Sequence, residues 1–158
     1  MELLSTITHS SDETERCGAF LAKQISKDTS LPRFVALYGD LGVGKTAFVR
    51  GFVSFFDKTI KVKSPTFTLV NEYRTKPLPV FHFDMYRIEG EDDLYSIGFY
   101  DYPERGICIT EWTEKIEFAL PERFISAEIR KNDPSDTESR ALTVKLCGGK
   151  EKNENSCT

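Results

Sequence analysis

The chain carries no C-x-x-C pair: Cys17, Cys108, Cys147 and Cys157 are widely spaced, which leaves no zinc-ligand or dithiol redox pattern. Cys17 and Cys108 fall on apolar faces and read as small buried hydrophobes. No apolar run approaches the ~20 residues of a membrane span. Met1-Glu2-Leu3-Leu4-Ser5 lacks the basic region and long apolar core of a secretory signal. Positive charge is in deficit, 21 Lys and Arg against 25 Asp and Glu. The net charge of −4 argues against a protein whose main business is wrapping nucleic acid. These absences predict a reduced, cytoplasmic protein. The 158 residues leave room for one domain with a real core and none for a second.

What is present alternates between strand and helix signals. Residues 3–8 predict a short strand. Ser10 with Glu13 offers a capping box for a helix on which Cys17, Phe20, Leu21 and Ile25 share one face. Pro32 breaks the chain before a strand at 33–38, and the next helix carries Phe48, Phe52 and Phe55 toward the sheet. Lys63-Ser64-Pro65-Thr66-Phe67 reads as a rigid turn feeding a strand at 68–73, and Pro77 and Pro79 mark the loop to another at 80–85. Residues 91–93 open a short helix or turn, and 106–110 is a buried-type strand. Residues 124–130 and 141–146 read as two arms of a hairpin connected through 132–136. From Gly148 onward the chain is polar and predicts a disordered tail, so the domain spans 1–147 and the tail 148–158. No internal repeat is visible. Charge is uneven: Lys45, Arg50, Lys58, Lys61 and Lys63 gather in one stretch, and Glu89, Glu91, Asp92, Asp93, Asp101 and Glu104 in a later one. Either is a solvated surface or a docking face for a partner.

The most informative segment is Gly39-Asp40-Leu41-Gly42-Val43-Gly44-Lys45-Thr46. It lies between an apolar, β-prone run and a helical one, which is the context a G-x-x-x-x-G-K-[ST] phosphate-binding loop requires. Glycines let the backbone turn its N–H groups around phosphate oxygens, and the new helix adds the positive end of its dipole. Lys45 then reaches the β- and γ-phosphates and the Thr46 hydroxyl ligates Mg²⁺. The pattern predicts a protein that binds a nucleoside triphosphate.

Such a loop needs carboxylates for the metal and the γ-phosphate, at the C-terminal ends of neighbouring strands. Asp84 ends the run Val80-Phe81-His82-Phe83, and Glu111 ends Ile107-Cys108-Ile109-Thr110 and precedes the sole tryptophan, Trp112. Each also reads as a strand-end cap or a salt-bridge partner. His82 reads as a satisfied sheet histidine or a site residue, and Arg87 as a phosphate sensor or a surface arginine.

The ordered set Gly39 to Thr46, Ser64-Pro65-Thr66-Phe67, His82-Phe83-Asp84-Met85-Tyr86-Arg87 and Glu111-Trp112 closely resembles the TsaE family, also called YjeE, over nearly the whole domain. TsaE is the small bacterial ATPase needed to make threonylcarbamoyladenosine in tRNA. The resemblance implies an α/β fold: a single P-loop NTPase-like domain with a mostly parallel central sheet and an antiparallel C-terminal hairpin. It implies ATP and Mg²⁺ as cofactors and TsaD and TsaB homologues as partners, with tRNA contacted only indirectly or weakly and no membrane. TsaD transfers the threonylcarbamoyl group, and TsaE with ATP supports the cycle.

Position by position, the resemblance assigns the nucleotide to Gly39, Asp40, Leu41, Gly42, Val43, Gly44, Lys45, Thr46 and Ala47. Ser11 and Thr14 belong to the stretch entering the first helix, near the base. Thr46, Glu111 and Asp84 become the metal set, and Lys45, Asp84 and Glu111 the catalytic set. Residues 64–67 resemble the family's switch-like segment. Ala47 stands where the family often has a second Thr. Two other activities compete. A P-loop small-molecule kinase shares the loop but calls for an arginine-rich lid, whereas Arg74, Arg87 and Arg105 are scattered. A small GTPase calls for N-K-x-D and D-x-x-G segments, which this chain does not have.

Overall fold

The computed structural model describes residues 1–40 and 42–149. The elements run β1 (Glu2–Thr8), α1 (Ser11–Lys27), β2 (Phe34–Tyr38), α2 (Lys45–Phe56), β3 (Val70–Tyr73), β4 (Val80–Asp84), α3 (Glu91–Ser96), α4 (Tyr102–Arg105), β5 (Ile107–Glu111), β6 (Arg123–Asp133) and β7 (Asp136–Gly148). Seven strands form one sheet in the order β1-β7-β6-β2-β5-β4-β3. The molecule is thus a mixed α/β, single-sheet domain. Among the described residues no helix is long and apolar enough to cross a membrane.

The sheet is less parallel than expected. Parallel pairing is confined to the middle, β6 with β2, β2 with β5 and β5 with β4. The edges are antiparallel: β3 on β4, β7 on β6 and β1 on β7. The connections explain two of these, the hairpins. β3 and β4 are joined by residues 74–79 and β6 and β7 by Pro134-Ser135, both too short for the dozen or so residues of a parallel crossover. The hairpin arms also run longer than the apolar stretches suggested, because the ladder continues through polar residues as far as Asp133 and Asp136. Gly148, expected to begin the tail, closes β7, and residues 150–158 lie outside the described set.

Each face of the sheet buries its own core. Val35, Leu37, Ile107, Ile109, Ile125 and Ala127 pack beneath α1 and α2 against Leu21, Phe48 and Phe52. Phe34, Ala36, Cys108, Phe81 and Phe83 fill the opposite face with Leu94, Phe99 and Ile116. Side-chain alternation along the strands sorts the two sets. Two expected core aromatics are not in the core. Phe20 is 38% exposed on the flank of the stripe formed by Cys17, Leu21 and Ile25, and Phe55 is 41% exposed in the last turn of α2, edge-on to Phe56.

α1 and α2 meet backbone to backbone. A Cβ placed on Gly51 would lie 1.8 Å from the Glu15 carbonyl oxygen, and one on Gly18 would lie 2.0 Å from that of Phe48. Only glycine permits this approach, which sets the start of α1 beside the start of α2. Arg50 Nη1 donates to Glu15 Oε1 at 2.8 Å across the same crossing.

Candidate functional site

The glycine-rich loop links the C-terminal end of β2 to α2. Its last glycine, Gly44, is the N-cap of α2 in the left-handed conformation (φ 111°), with no side chain capping the helix and no acid in its first turn. α1 contrasts with it. There Ser10 Oγ accepts from Glu13 N–H at 3.1 Å, and Glu13 Oε2 reaches back past the cap to accept from His9 N–H at 2.6 Å. The start of α2 therefore keeps its unsatisfied N–H donors and positive dipole end for something else.

Lys45 is 6% exposed. Its Nζ donates to the Gly39 carbonyl at 2.8 Å and lies 4.5 Å from the centroid of the Trp112 ring. Among the described residues no ion pair involves it. A buried ammonium satisfied by one carbonyl and a ring face is short of counter-charge.

A cleft of about 590 Å³ opens above it, lined by Gly42, Gly44, Lys45 and Thr46 from the loop, by Ser64 and Thr66, and by Asp84, Tyr86, Glu111 and Trp112. Asp84 and Glu111 end adjacent parallel strands and are register partners, so both carboxylates leave the same face. One expectation needs correcting: Glu111 ends a strand next to β2, whereas Asp84 ends β4, one strand further out. Asp84 Oδ1 accepts from Tyr86 N–H at 2.9 Å, which turns the chain at the strand end. Glu111 Oε2 pairs with His82 Nε2 at 2.6 Å, and His82 Nδ1 lies 3.2 Å from the Tyr73 hydroxyl. His82, open between a sheet and a site role in the sequence, is buried in the sheet with both nitrogens partnered, and one of those partners is a cleft carboxylate. Burial pushes the Tyr73 hydroxyl above its ordinary value, and the Glu111 charge adds to this against the hydrogen bonds from Asn71 and Lys63.

Trp112 follows β5 in the left-handed region, φ 56°. That turn brings its ring back over Lys45 and beside Tyr86, 5.0 Å between centroids. Arg87 stands outside the cleft lining, 5.7 Å from the Phe67 ring.

The remaining expected binding residues sit around the cleft rather than in it. Thr14 is buried, its hydroxyl 3.0 Å from that of Thr8, and it packs beneath Gly44. Ser11 is exposed, the capping role belonging to Ser10. Val43 and Ala47 are buried. Gly39 and Asp40 border a separate acidic hollow with Tyr38, Glu114 and Glu117. There burial, then the Glu117 and Glu114 charges, push the Tyr38 hydroxyl up to about 12. Leu41 lies outside the described residues. Sequence reasoning missed Tyr73 and Arg140, and gave Tyr86, though part of the motif at 82–87, no role in the cleft it lines. Arg140 Nε donates to the Val43 carbonyl at 3.0 Å and so pins β7 to the glycine-rich loop. No short-range motif signals that contact, which joins residues 97 apart.

The family model for threonylcarbamoyl adenosine biosynthesis protein TsaE matches residues 8–142. The chain belongs to the TsaE family. It is 38% identical over 116 residues to the tRNA threonylcarbamoyladenosine biosynthesis protein TsaE of Bacillus subtilis (strain 168), covering 73% of this chain and 71% of that one. Against the protein of the same name from Rickettsia bellii (strain RML369-C) it is 32% identical over 136 residues, 84% of this chain and 92% of that one. The crystal structure of Bacillus subtilis YdiB superposes with a TM-score of 0.70 at 30% identity, covering 94% of this chain and 88% of that chain.

The residues lining the cleft would fit a magnesium-bound polyphosphate. Mg²⁺ is bound through one or two protein carboxylates plus substrate phosphates, not by an all-protein cage. Asp84, Glu111 and the Thr46 hydroxyl match that demand, and no group of three or more His, Cys, Asp or Glu suited to a metal occurs among the described residues.

Proposed function

We propose that the chain is a Mg²⁺-dependent ATPase with a P-loop NTPase-like fold. It serves tRNA threonylcarbamoyladenosine formation in the cytoplasm through a nucleotide-dependent complex with TsaD and TsaB homologues. One observation carries the ATP reading: among the described residues the buried Lys45 ammonium has no ionic partner, and it lies at a helix start that no acid caps. A polyphosphate supplies the missing charge at both. The family supplies the pathway.

In this reading Lys45 exchanges the Gly39 carbonyl for the β- and γ-phosphates, and the loop N–H groups cradle the phosphate oxygens. Thr46 and Glu111 would hold the metal, with Asp84 as the further carboxylate beside them. Bound Mg²⁺ supplies charge neutralisation across the phosphates. His82 fixes the orientation of the Glu111 carboxylate. Asp84 or Glu111 orients the attacking water, and catalysis rests on positioning rather than on a covalent step. The exposed Lys58, Lys61 and Lys63 lie close in sequence to the cleft loop and form part of the docking surface.

The test is phosphate release from ATP by the full chain, alone and with purified TsaB and TsaD homologues, alongside threonylcarbamoyladenosine formation on tRNA. Slow release alone, faster release in the complex and nucleotide-dependent co-elution are expected. Failure to associate with ATP, ADP or no nucleotide would overturn the partner assignment. Phosphate transfer to a small acceptor would favour the kinase instead.

A further inference from the structure

A buried hydrogen-bonded chain runs from the cleft floor to the loop that lines its rim. Glu111 Oε2 meets His82 Nε2 at 2.6 Å, and His82 Nδ1 meets the Tyr73 hydroxyl at 3.2 Å. That hydroxyl lies against the Lys63 peptide, donating to its carbonyl at 3.0 Å and accepting from its N–H at 3.3 Å. The next residue is Ser64. The far end of the same loop is held as well: Asp84 N–H donates to the Leu69 carbonyl at 2.9 Å, and Leu69 N–H donates back to that of Pro65 at 2.9 Å. Leu69 takes a left-handed φ of 65°, unusual for a residue with a branched side chain. One end of the loop is thus linked to Glu111 through Tyr73 and His82, and the other is bonded to the Asp84 backbone. Between the fastenings, Phe67 is 86% exposed.

We propose that Tyr73 and His82 are positioning residues that couple the Glu111 carboxylate to the 64–67 loop, so that loading the cleft with Mg²⁺ and nucleotide shifts the loop and the exposed Phe67 it carries. This rests on the ATP reading above and deepens it. The physical reason lies in burial. His82 is fully buried, and a buried polar group that loses a partner has no water to replace it. When Glu111 turns toward a metal, the imidazole follows to keep its bond. Tyr73 then cannot hold both His82 and Lys63 as before, and the adjustment is passed to the loop base rather than absorbed.

The test is amide hydrogen exchange across residues 63–69 of the full chain, with and without Mg²⁺ and a non-hydrolysable ATP analogue. In the wild type the loaded protein should exchange at least about fivefold more slowly in this segment. Tyr73→Phe keeps the ring and removes the hydroxyl. It should bind the analogue within about threefold of wild type yet lose most of the nucleotide-induced protection. His82→Asn retains a group near Nδ1 and severs the link to Glu111; because His82 orients that carboxylate the variant should bind the analogue more weakly, and at saturating analogue it should likewise lose most of the protection. A merely structural Tyr73 would raise exchange equally in both states and leave the nucleotide effect intact, which overturns the proposal. So does wild-type protection in a well-folded Tyr73→Phe. If the wild type fails to bind the analogue at all, the ATP reading itself falls, and the coupling with it.

Discussion

The Lys45 ammonium rests 4.5 Å from the centre of the Trp112 ring, joining the first turn of α2 to the residue after β5. Had β5 continued, alternation would have turned Trp112 toward the opposite face. Its left-handed backbone brings it back instead. Since Trp112 is the only tryptophan, titration with Mg·ATP or Mg·ADP should shift its fluorescence intensity or wavelength, and Lys45→Ala should blunt that response. A flat signal at saturating nucleotide would remove Trp112 from the site.

Lys45→Ala should cost roughly 2–3 kcal/mol of nucleotide binding, about 30- to 150-fold in affinity, because charge-assisted hydrogen bonds to phosphate are lost. Thermal stability should hold or rise, since among the described residues the buried ammonium has no ionic partner. Calorimetric titration beside a melting curve separates the two effects. Undiminished ATP affinity in the folded variant would defeat the phosphate-loop assignment.

Glu111→Ala should weaken Mg²⁺-dependent nucleotide binding by at least about tenfold, whereas Arg74→Ala, on an exposed position after β3, should not. Asp84→Asn should retain more of the affinity and lose about 100-fold in turnover, if its oxygen orients water. Nucleotide titrations at several Mg²⁺ concentrations discriminate between the carboxylates. Normal metal dependence in the Glu111 variant would make Asp84 the principal ligand.

Burial pushes the Cys108 thiol from 9.0 up to about 12. The folded state thus holds this proton more tightly than the unfolded chain. The contribution is fully present below about pH 9 and is lost as pH rises toward 12, at up to about 1.4 kcal/mol per pH unit. Urea melts between pH 8 and 10.5 should show this decline, and Cys108→Ala should flatten part of it. Identical slopes in the two proteins would contradict a buried, protonated thiol.

The elements near the site were largely legible because their signals are local. The glycine spacing at 39, 42 and 44, the capping pair Ser10 and Glu13, and the apolar runs ending at Asp84 and Glu111 each act over a few residues. Family membership was legible too, since it rests on several such segments in a fixed order. Pairing at the sheet edges was not, because connection length decides it only once the strands are placed, and neither were the exposed positions of Phe20 and Phe55.

The amino-acid sequence by itself determined where the chain turns, which glycines start the loop and which carboxylates end strands. Only the tertiary structure decided what those groups meet. It set Asp84 and Glu111 in register, turned Trp112 onto Lys45, laid Arg140 against the Val43 carbonyl and linked Glu111 to Lys63 through His82 and Tyr73. Those contacts join residues from different strands and helices. Their partners are chosen by the packing of α1 on α2 and the order of seven strands, which no local pattern carries.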